Sequence, residues 1–297
     1  MSSNASKATT RSSSSKGNTK APSPNTKKDI ANKYLIAYNV ASGLAWAYVL
    51  ILALIHISNV DGGAAQVASS GPITASGYVS KLLSSSASFL RSASAATKAH
   101  SRSWLPGFLQ APVARMATTY GRVGPQTALV QSFAVLEVAH VALGIVRSSL
   151  PTTAMQVTSR LLLVWAVVEQ SAAARASPVF ASMIIAWSLS EIIRYSFYTF
   201  NLLGLQPPQW LIWIRYSAFY VLYPIGAGSE WYLTWISLPN SSPVPGFRSW
   251  YQGAWGVFDY LRGIMVLVWA PALYVLFTYM MGQRRKVLGG GRKLKDS

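Results

Sequence analysis

The chain has 297 residues, of which 51% are hydrophobic and 11% charged, with a formal net charge of +18 and a mean hydropathy of +0.29. Soluble domains are about 25% charged, so this composition points to a membrane protein. The absence of cysteine excludes disulfides, thiol nucleophiles and cysteine metal sites, and three scattered histidines offer no metal centre.

Residues 1–33 are polar, rich in Ser, Lys and Thr, and contain no apolar core of a signal peptide. They read as a disordered basic tail. Tyr34 to Ile57 is the first apolar stretch long enough to span a bilayer, with Asn39 and Trp46 inside it. Residues 59–125 are rich in Ser, Ala and Gly and read as a long loop or insertion, with a weak amphipathic helix expected from about Tyr78 to Leu90. Five more apolar stretches follow. They run from Gln126 to Val146, from Thr153 to about Ala173, from Val179 to Phe200, from Leu211 to about Ser229, and from Trp255 to Met281. Pro271 is the expected kink in the last. The sequence thus predicts an all-α fold: a polytopic membrane bundle of about six transmembrane helices, whose backbone groups are satisfied within each helix.

Six spans put both termini on one side. Seven Lys/Arg precede Tyr34 and six follow Met281, which places that side in the cytoplasm and residues 59–125 in the lumen. Basic tails also suit nucleic acid, but the membrane reading accounts for them, and no nucleic-acid partner is expected. Residues 282–297 form the second basic tail. Its end, Lys293-Leu294-Lys295-Asp296-Ser297, resembles a dilysine signal for retrieval to the endoplasmic reticulum.

Ionisable residues inside apolar spans are expensive and usually functional. Glu137 and His140 share a face of the second span, Gln156 and Arg160 a face of the third, and Glu191 and Arg194 a face of the fourth. Each pair could be purely structural. Spans two to five each carry such a group, which predicts one polar pocket built by those four. By topology Gln156, Arg160, Arg194 and Arg215 cluster at its cytoplasmic mouth, where arginine forks suit phosphates. The structural alternative pairs Arg194 with Glu191 and Arg160 with Glu137.

The stretch Leu211–Glu230 is the most informative. Tyr223, Gly226 and Glu230 are spaced to share one helix face, Gly226 leaving a gap between a phenol and a carboxylate. Pro224 should kink or break the helix beside them. Tyr223 lies roughly 12 Å beyond Arg215 on a helix, so a phosphorylated amphiphile would reach from an anion-binding entrance to a deep acid–base pair.

These residues resemble a known family. Tyr34-Leu35, Tyr38-Asn39, Gln126-Thr127, Leu136-Glu137-Val138-Ala139-His140, Gly144, Gln156-Val157, Ser159-Arg160, Trp187, Glu191-Ile192-Ile193-Arg194-Tyr195, Arg215-Tyr216, Phe219, Leu222-Tyr223-Pro224, Gly226 and Glu230 follow the order of motifs in the 3-hydroxyacyl-CoA dehydratases. This family is also called protein tyrosine phosphatase-like. The resemblance implies an endoplasmic reticulum membrane enzyme that dehydrates 3-hydroxyacyl-CoA to trans-2-enoyl-CoA in the third step of very-long-chain fatty acid elongation. It works without a metal or redox cofactor, beside other membrane enzymes of the elongation cycle. By matched motif Tyr223 and Glu230 are the catalytic pair, and Glu137, Gln156, Arg160, Arg215 and Gly226 support them. Dehydration needs one base for the C2 proton and one acid for the C3 hydroxyl. Glu230 is assigned as base and Tyr223 as acid, the reverse requiring a cation such as Arg215 to favour tyrosinate. A transporter with an intramembrane charge relay and a non-catalytic scaffold of the elongation machinery are the rival readings.

Overall fold

The computed structural model describes residues 24–70, 74, 75, 77, 106–239 and 255–289. The described secondary structure is helical. Helix α1 spans Pro24–Ser58, so it begins ten residues before the apolar stretch that nucleates it. Asn39 sits inside it without cost because its amide donates to the Leu35 carbonyl one turn back (2.7 Å). Its end turns through Asn59, held at a φ of +58°, a conformation asparagine tolerates better than most residues.

Part of the predicted loop proves to be ordered helix: α2 spans Ala64–Ser70, α3 Gly107–Met116 and α4 Thr119–Phe133. The reason is burial. Tyr120 and Val123 enter the main core, and the Tyr120 hydroxyl donates to Glu169 (2.5 Å), which also accepts from the Ala75 amide (2.9 Å). The Ser- and Gly-rich composition concealed this anchor. The amphipathic helix expected over Tyr78–Leu90 lies outside the described residues.

The second apolar stretch is divided at Ala134 into α4 and α5, Val135–Ala142. The third forms α6, Leu150–Leu162, which widens into a π-helical turn at Leu163–Val168. After the short α7, Ala172–Arg175, comes the central helix α8, Pro178–Leu202. It starts where the Ser177 side chain accepts from the Val179 amide and Pro178 supplies the preset first helical residue. It stops where Gly204 adopts a φ of +69° and the Leu205 amide reaches back to Phe200. The fifth stretch is α9, Gln209–Ser217, and α10, Phe219–Ile236. Here the expectation for Pro224 is corrected: it sits inside α10, its ring exposed, and the break falls earlier, at Ala218. Helix α11, Val257–Gly289, bends by 42° between Trp269 and Pro271, as the proline predicts.

Helix α8 is the spine. Helices α1 and α10 pack along it, with α4 against α1 and α11 against α10. Trp46 and Val49 of α1 interdigitate with Phe180, Met183, Ile184 and Trp187 of α8. Outside this core the surface is also apolar: Leu44, Tyr48, Ile51 and Leu54 on α1, Val221 and Ile225 on α10, and Leu267, Tyr274 and Val275 on α11 are all exposed. Among the described residues one helix, Lys28–Ser58, is by itself long and apolar enough to cross a membrane, and the two halves of α11 qualify together.

Candidate active site

A cavity of about 540 Å³ opens between α8, α10, α6 and α11, within the roughly 300–1,000 Å³ typical of ligand pockets. Tyr223, Glu230, Glu137, Gln156, Arg160, Arg194, Arg215 and Gly226 all line it. The sequence placed the walls on four spans. The structure corrects this, because Trp46 of α1 and Trp269, Leu273, Leu276 and Met280 of α11 also line the cavity. Those last residues carry no charge, which is why a search for ionisable groups passed over them.

The elements order the wall by depth. Arg215 lies in the last turn of α9 and Glu230 fifteen residues on, two thirds of the way along α10. The antiparallel α8 brings Tyr198 and Tyr195 to the Arg215 end and Trp187 to the Glu230 end. Tyr223, Gly226 and Glu230 share the cavity-facing side of α10 as their spacing requires. At Gly226 α10 packs against α8: a Cβ there would stand 3.5 Å from the Ala186 Cβ and 3.9 Å from Trp187 Cδ1.

The charged groups fall into two sets. Arg194 donates two parallel bonds to Glu137 (2.7 Å each) and one from Nε to Glu191 (2.8 Å). Arg160 closes the network onto the other oxygen of Glu191, and the Tyr195 hydroxyl donates to Glu137 (2.5 Å). The structural alternative is half met: Arg194 does pair with Glu191, but Arg160 also holds Glu191, and Glu137 belongs to Arg194. Of the three arginines expected at a phosphate entrance, Arg160 and Arg194 are thus bonded to carboxylates. His140 is not Glu137's partner either; it contacts the Tyr34 hydroxyl (2.8 Å) and takes the edge of Tyr38.

The second set is uncommitted. Glu230 accepts from the Trp187 indole N–H (2.7 Å) and forms no ion pair among the described residues. The Tyr223 hydroxyl makes only a long contact to the Leu273 carbonyl (3.4 Å). The Arg215 guanidinium lies over the rings of Phe197 and Tyr198, 4.8 and 5.1 Å from their centroids, and its buried Nε has no hydrogen-bond partner among the described residues. Gln156 lines the rim near Thr153. Trp187, Glu191 and Tyr195 do as much to organise the site as the residues singled out from sequence. Their signal was present in the quoted motifs, but a tryptophan donor cannot be told from a packed tryptophan without its partner.

The profile described as "Protein tyrosine phosphatase-like protein, PTPLA" matches residues 131–290, more than half of the chain. The chain belongs to this family. A probable very-long-chain (3R)-3-hydroxyacyl-CoA dehydratase of Schizosaccharomyces pombe is 46% identical over 159 residues, 53% of this chain and 71% of that protein. The Caenorhabditis elegans very-long-chain (3R)-3-hydroxyacyl-CoA dehydratase hpo-8 is 39% identical over 184 residues, covering 60% and 83%. Very-long-chain (3R)-3-hydroxyacyl-CoA dehydratase 2 of Homo sapiens is 37% identical over 161 residues, covering 53% and 63%. No solved structure matches the chain. The cavity residues from Gln131 to Met280 all fall within the family's matched segment, whereas α1 and residues 59–125 precede it. The phosphatase-like label does not extend to thiol chemistry, since the chain has no cysteine.

Proposed function

We propose that this protein is a very-long-chain (3R)-3-hydroxyacyl-CoA dehydratase, a hydro-lyase that forms trans-2-enoyl-CoA in fatty acid elongation. The relatives' names give the reaction, and one observation of the site carries it here. Of the three carboxylates on the cavity wall, Glu137 and Glu191 are saturated by arginines, while Glu230 is held by a single neutral donor. A carboxylate neutralised by a guanidinium is a poor base; Glu230 is free to act as one.

In this reading Glu230 removes the C2 proton. The electron pair forms the C2=C3 double bond, and the C3–O bond breaks as the Tyr223 hydroxyl gives its proton to the departing hydroxide, releasing water. The proton on Glu230 then returns to the Tyr223 phenolate. The long contact from Tyr223 to Leu273 leaves its proton available, as catalytic hydrogen bonds often tighten only with substrate. Arg215 receives a phosphate of coenzyme A: it lines the cavity and its fork matches phosphate oxygens. Arg160, stacked 4.9 Å over the Trp187 ring and bonded to Glu191, positions the indole that holds Glu230. Arg194, Glu137 and Gln156 shape the wall.

The apolar exterior supports immersion in a bilayer. We read six traverses, namely α1, α4–α5, α6 with its π-turn, α8, α9–α10 and α11, with both termini cytoplasmic on the strength of the thirteen Lys/Arg of the two tails. The endoplasmic reticulum is the membrane, and the other elongation enzymes are neighbours there. The experiment is direct: purify the protein in detergent and follow enoyl-CoA formation from a long-chain 3-hydroxyacyl-CoA. Turnover that Tyr223→Phe and Glu230→Gln abolish supports the proposal, and no turnover by the folded, unsubstituted protein overturns it.

A further inference from the structure

The cavity stops at Glu230. No residue of α10 beyond it lines the main chamber, and the last-helix wall ends at Trp269. A very long acyl tail attached to a thioester at Glu230 therefore has no room ahead of it within the chamber, and the Arg215 end is taken by the nucleotide. A second, separate space continues in the required direction. It is a crevice of only about 10 Å³, lined by Ser159, Leu163, Trp231, Thr234, Met265, Val266 and Trp269.

Three helices agree on its position. On α10 the chamber ends at Glu230 and the crevice takes up with Trp231 and Thr234. On α6 and its π-turn the chamber ends at Arg160, and the crevice spans Ser159 and Leu163. On α11 the chamber ends at Trp269, and the crevice continues through Val266 and Met265. Ser159 and Trp269 border both spaces, so the Trp269 side chain is the partition. The lining is predominantly apolar. Near the partition its closure is light: the Trp269 indole donates to the Ala227 carbonyl at 3.3 Å and the Trp231 indole to the Val266 carbonyl at 3.2 Å, at or just past the long end of the N–H···O range, while further along Arg262 ties α11 to the Ala166 carbonyl of the π-turn (2.9 and 2.5 Å). Met265 is unbranched and half-buried, the kind of side chain that yields space.

We infer that this seam between α6, α10 and α11 is the passage for the distal acyl tail, with Trp269 as its partition and Met265 as the side chain that must yield. The inference rests on the dehydratase reading above. It makes the seam, rather than the catalytic chamber, the element that admits very long chains. A medium chain would end before the partition and never test it. Beyond Thr234 and Met265 the tail meets the exposed apolar side of α11 at Leu261 and Ile264, where lipid can receive it.

The test uses the full chain in detergent with a medium-chain and a very-long-chain 3-hydroxyacyl-CoA. Met265→Trp fills the seam without entering the chamber. It should lower kcat/KM for the very-long-chain ester by at least about tenfold while the medium-chain value stays within about twofold, since misfit in an apolar pocket is worth factors of that size. Met265→Ala, which leaves the seam open, should retain both activities. If Met265→Trp does not fold, a very-long-chain ester bearing a terminal diazirine decides the matter on the unsubstituted protein. Adducts on Leu163, Thr234 or Met265 support the passage; adducts confined to Leu222 and Leu276 overturn it. Equal loss on both esters, or no loss on either, in Met265→Trp also overturns it. If the unsubstituted protein dehydrates neither ester, the function itself falls and the inference with it.

Discussion

Arg194→Gln separates an arginine that holds the bundle from one that holds substrate. The wild-type guanidinium makes a bidentate pair with Glu137 and a further bond to Glu191. Glu191 is 3% exposed, so water cannot replace what is lost. After substitution Glu191 retains only Arg160, and Glu137 retains only the Tyr195 hydroxyl. Removing one partner of a buried ion pair is destabilising by about 3–5 kcal/mol, a large part of the roughly 5–15 kcal/mol that holds a typical domain folded. The expected outcome is a lower thermal midpoint in detergent and a fall in activity that is the same for the CoA ester and for a truncated pantetheine thioester. Adding Glu137→Gln should recover part of the loss, because the double substitution removes the charge left without a cation, and that recovery is the coupling a double-mutant cycle reads. An Arg194→Gln protein with an unchanged melting temperature and a KM raised for the CoA ester alone would refute the structural role and restore Arg194 to the phosphate site.

The other expectations concern the uncommitted residues and the topology. Tyr223→Phe and Glu230→Gln should each lower kcat by at least about 100-fold without unfolding the protein, the usual size of a general acid–base contribution, and the double variant should be little worse than the worse single. Arg215→Gln should raise KM for the CoA ester far more than for the pantetheine thioester, with no loss of thermal stability, because no carboxylate depends on it; equal effects on the two esters would remove its phosphate contact. Gly226→Ala should be mild, since its Cβ meets Ala186 at an ordinary 3.5 Å, whereas Gly226→Phe should block turnover by filling the chamber between Tyr223 and Glu230; an active Gly226→Phe enzyme would show that substrate does not pass there. A glycosylation acceptor engineered near Ser85 should be modified in cells while a tagged C-terminus is not, and the opposite pattern would invert the topology.

Much of the helical framework was legible because apolar runs of bilayer length are a strong signal. The fourth run, Val179–Phe200, became α8 almost to the residue, its ends fixed by Ser177-Pro178 and Gly204. The signal fails where a run is interrupted without a change of composition. Ala134 and Ala218 carry no mark of a break, yet each joins two helices. Pro224 carries the strongest local mark of one and lies in an unbroken helix, because six residues from the helix start its ring faces outward and only one backbone bond is lost. Residues 59–125 misled in the other direction: a small-residue composition reads as loop, but Tyr120, bonded to Glu169, enters the core with Val123 and anchors α4 there.

The site was legible as a set and illegible as a network. Spacing along one helix can say that Glu191 and Arg194 share a face; it cannot say that Arg194 also reaches across to Glu137 on another helix, or that Arg160 comes from a third to complete Glu191. That distinction decides the chemistry. Three carboxylates face one chamber, and they differ in the partners that other helices supply. Two are ion-paired to two arginines that tie α5, α6 and α8 together. The third is met by an indole, which orients it without neutralising it. The ion-paired network thereby meets Trp187 through the Arg160 guanidinium stacked on its ring, and Trp187 in turn bonds Glu230. A single charge-preserving change inside the network, Arg160→Lys, retains a cation for Glu191 but loses the flat guanidinium face over the indole. If positioning flows along this path, Arg160→Lys lowers kcat with KM and melting temperature nearly unchanged; a variant with wild-type kcat would mean that Trp187 holds Glu230 without help.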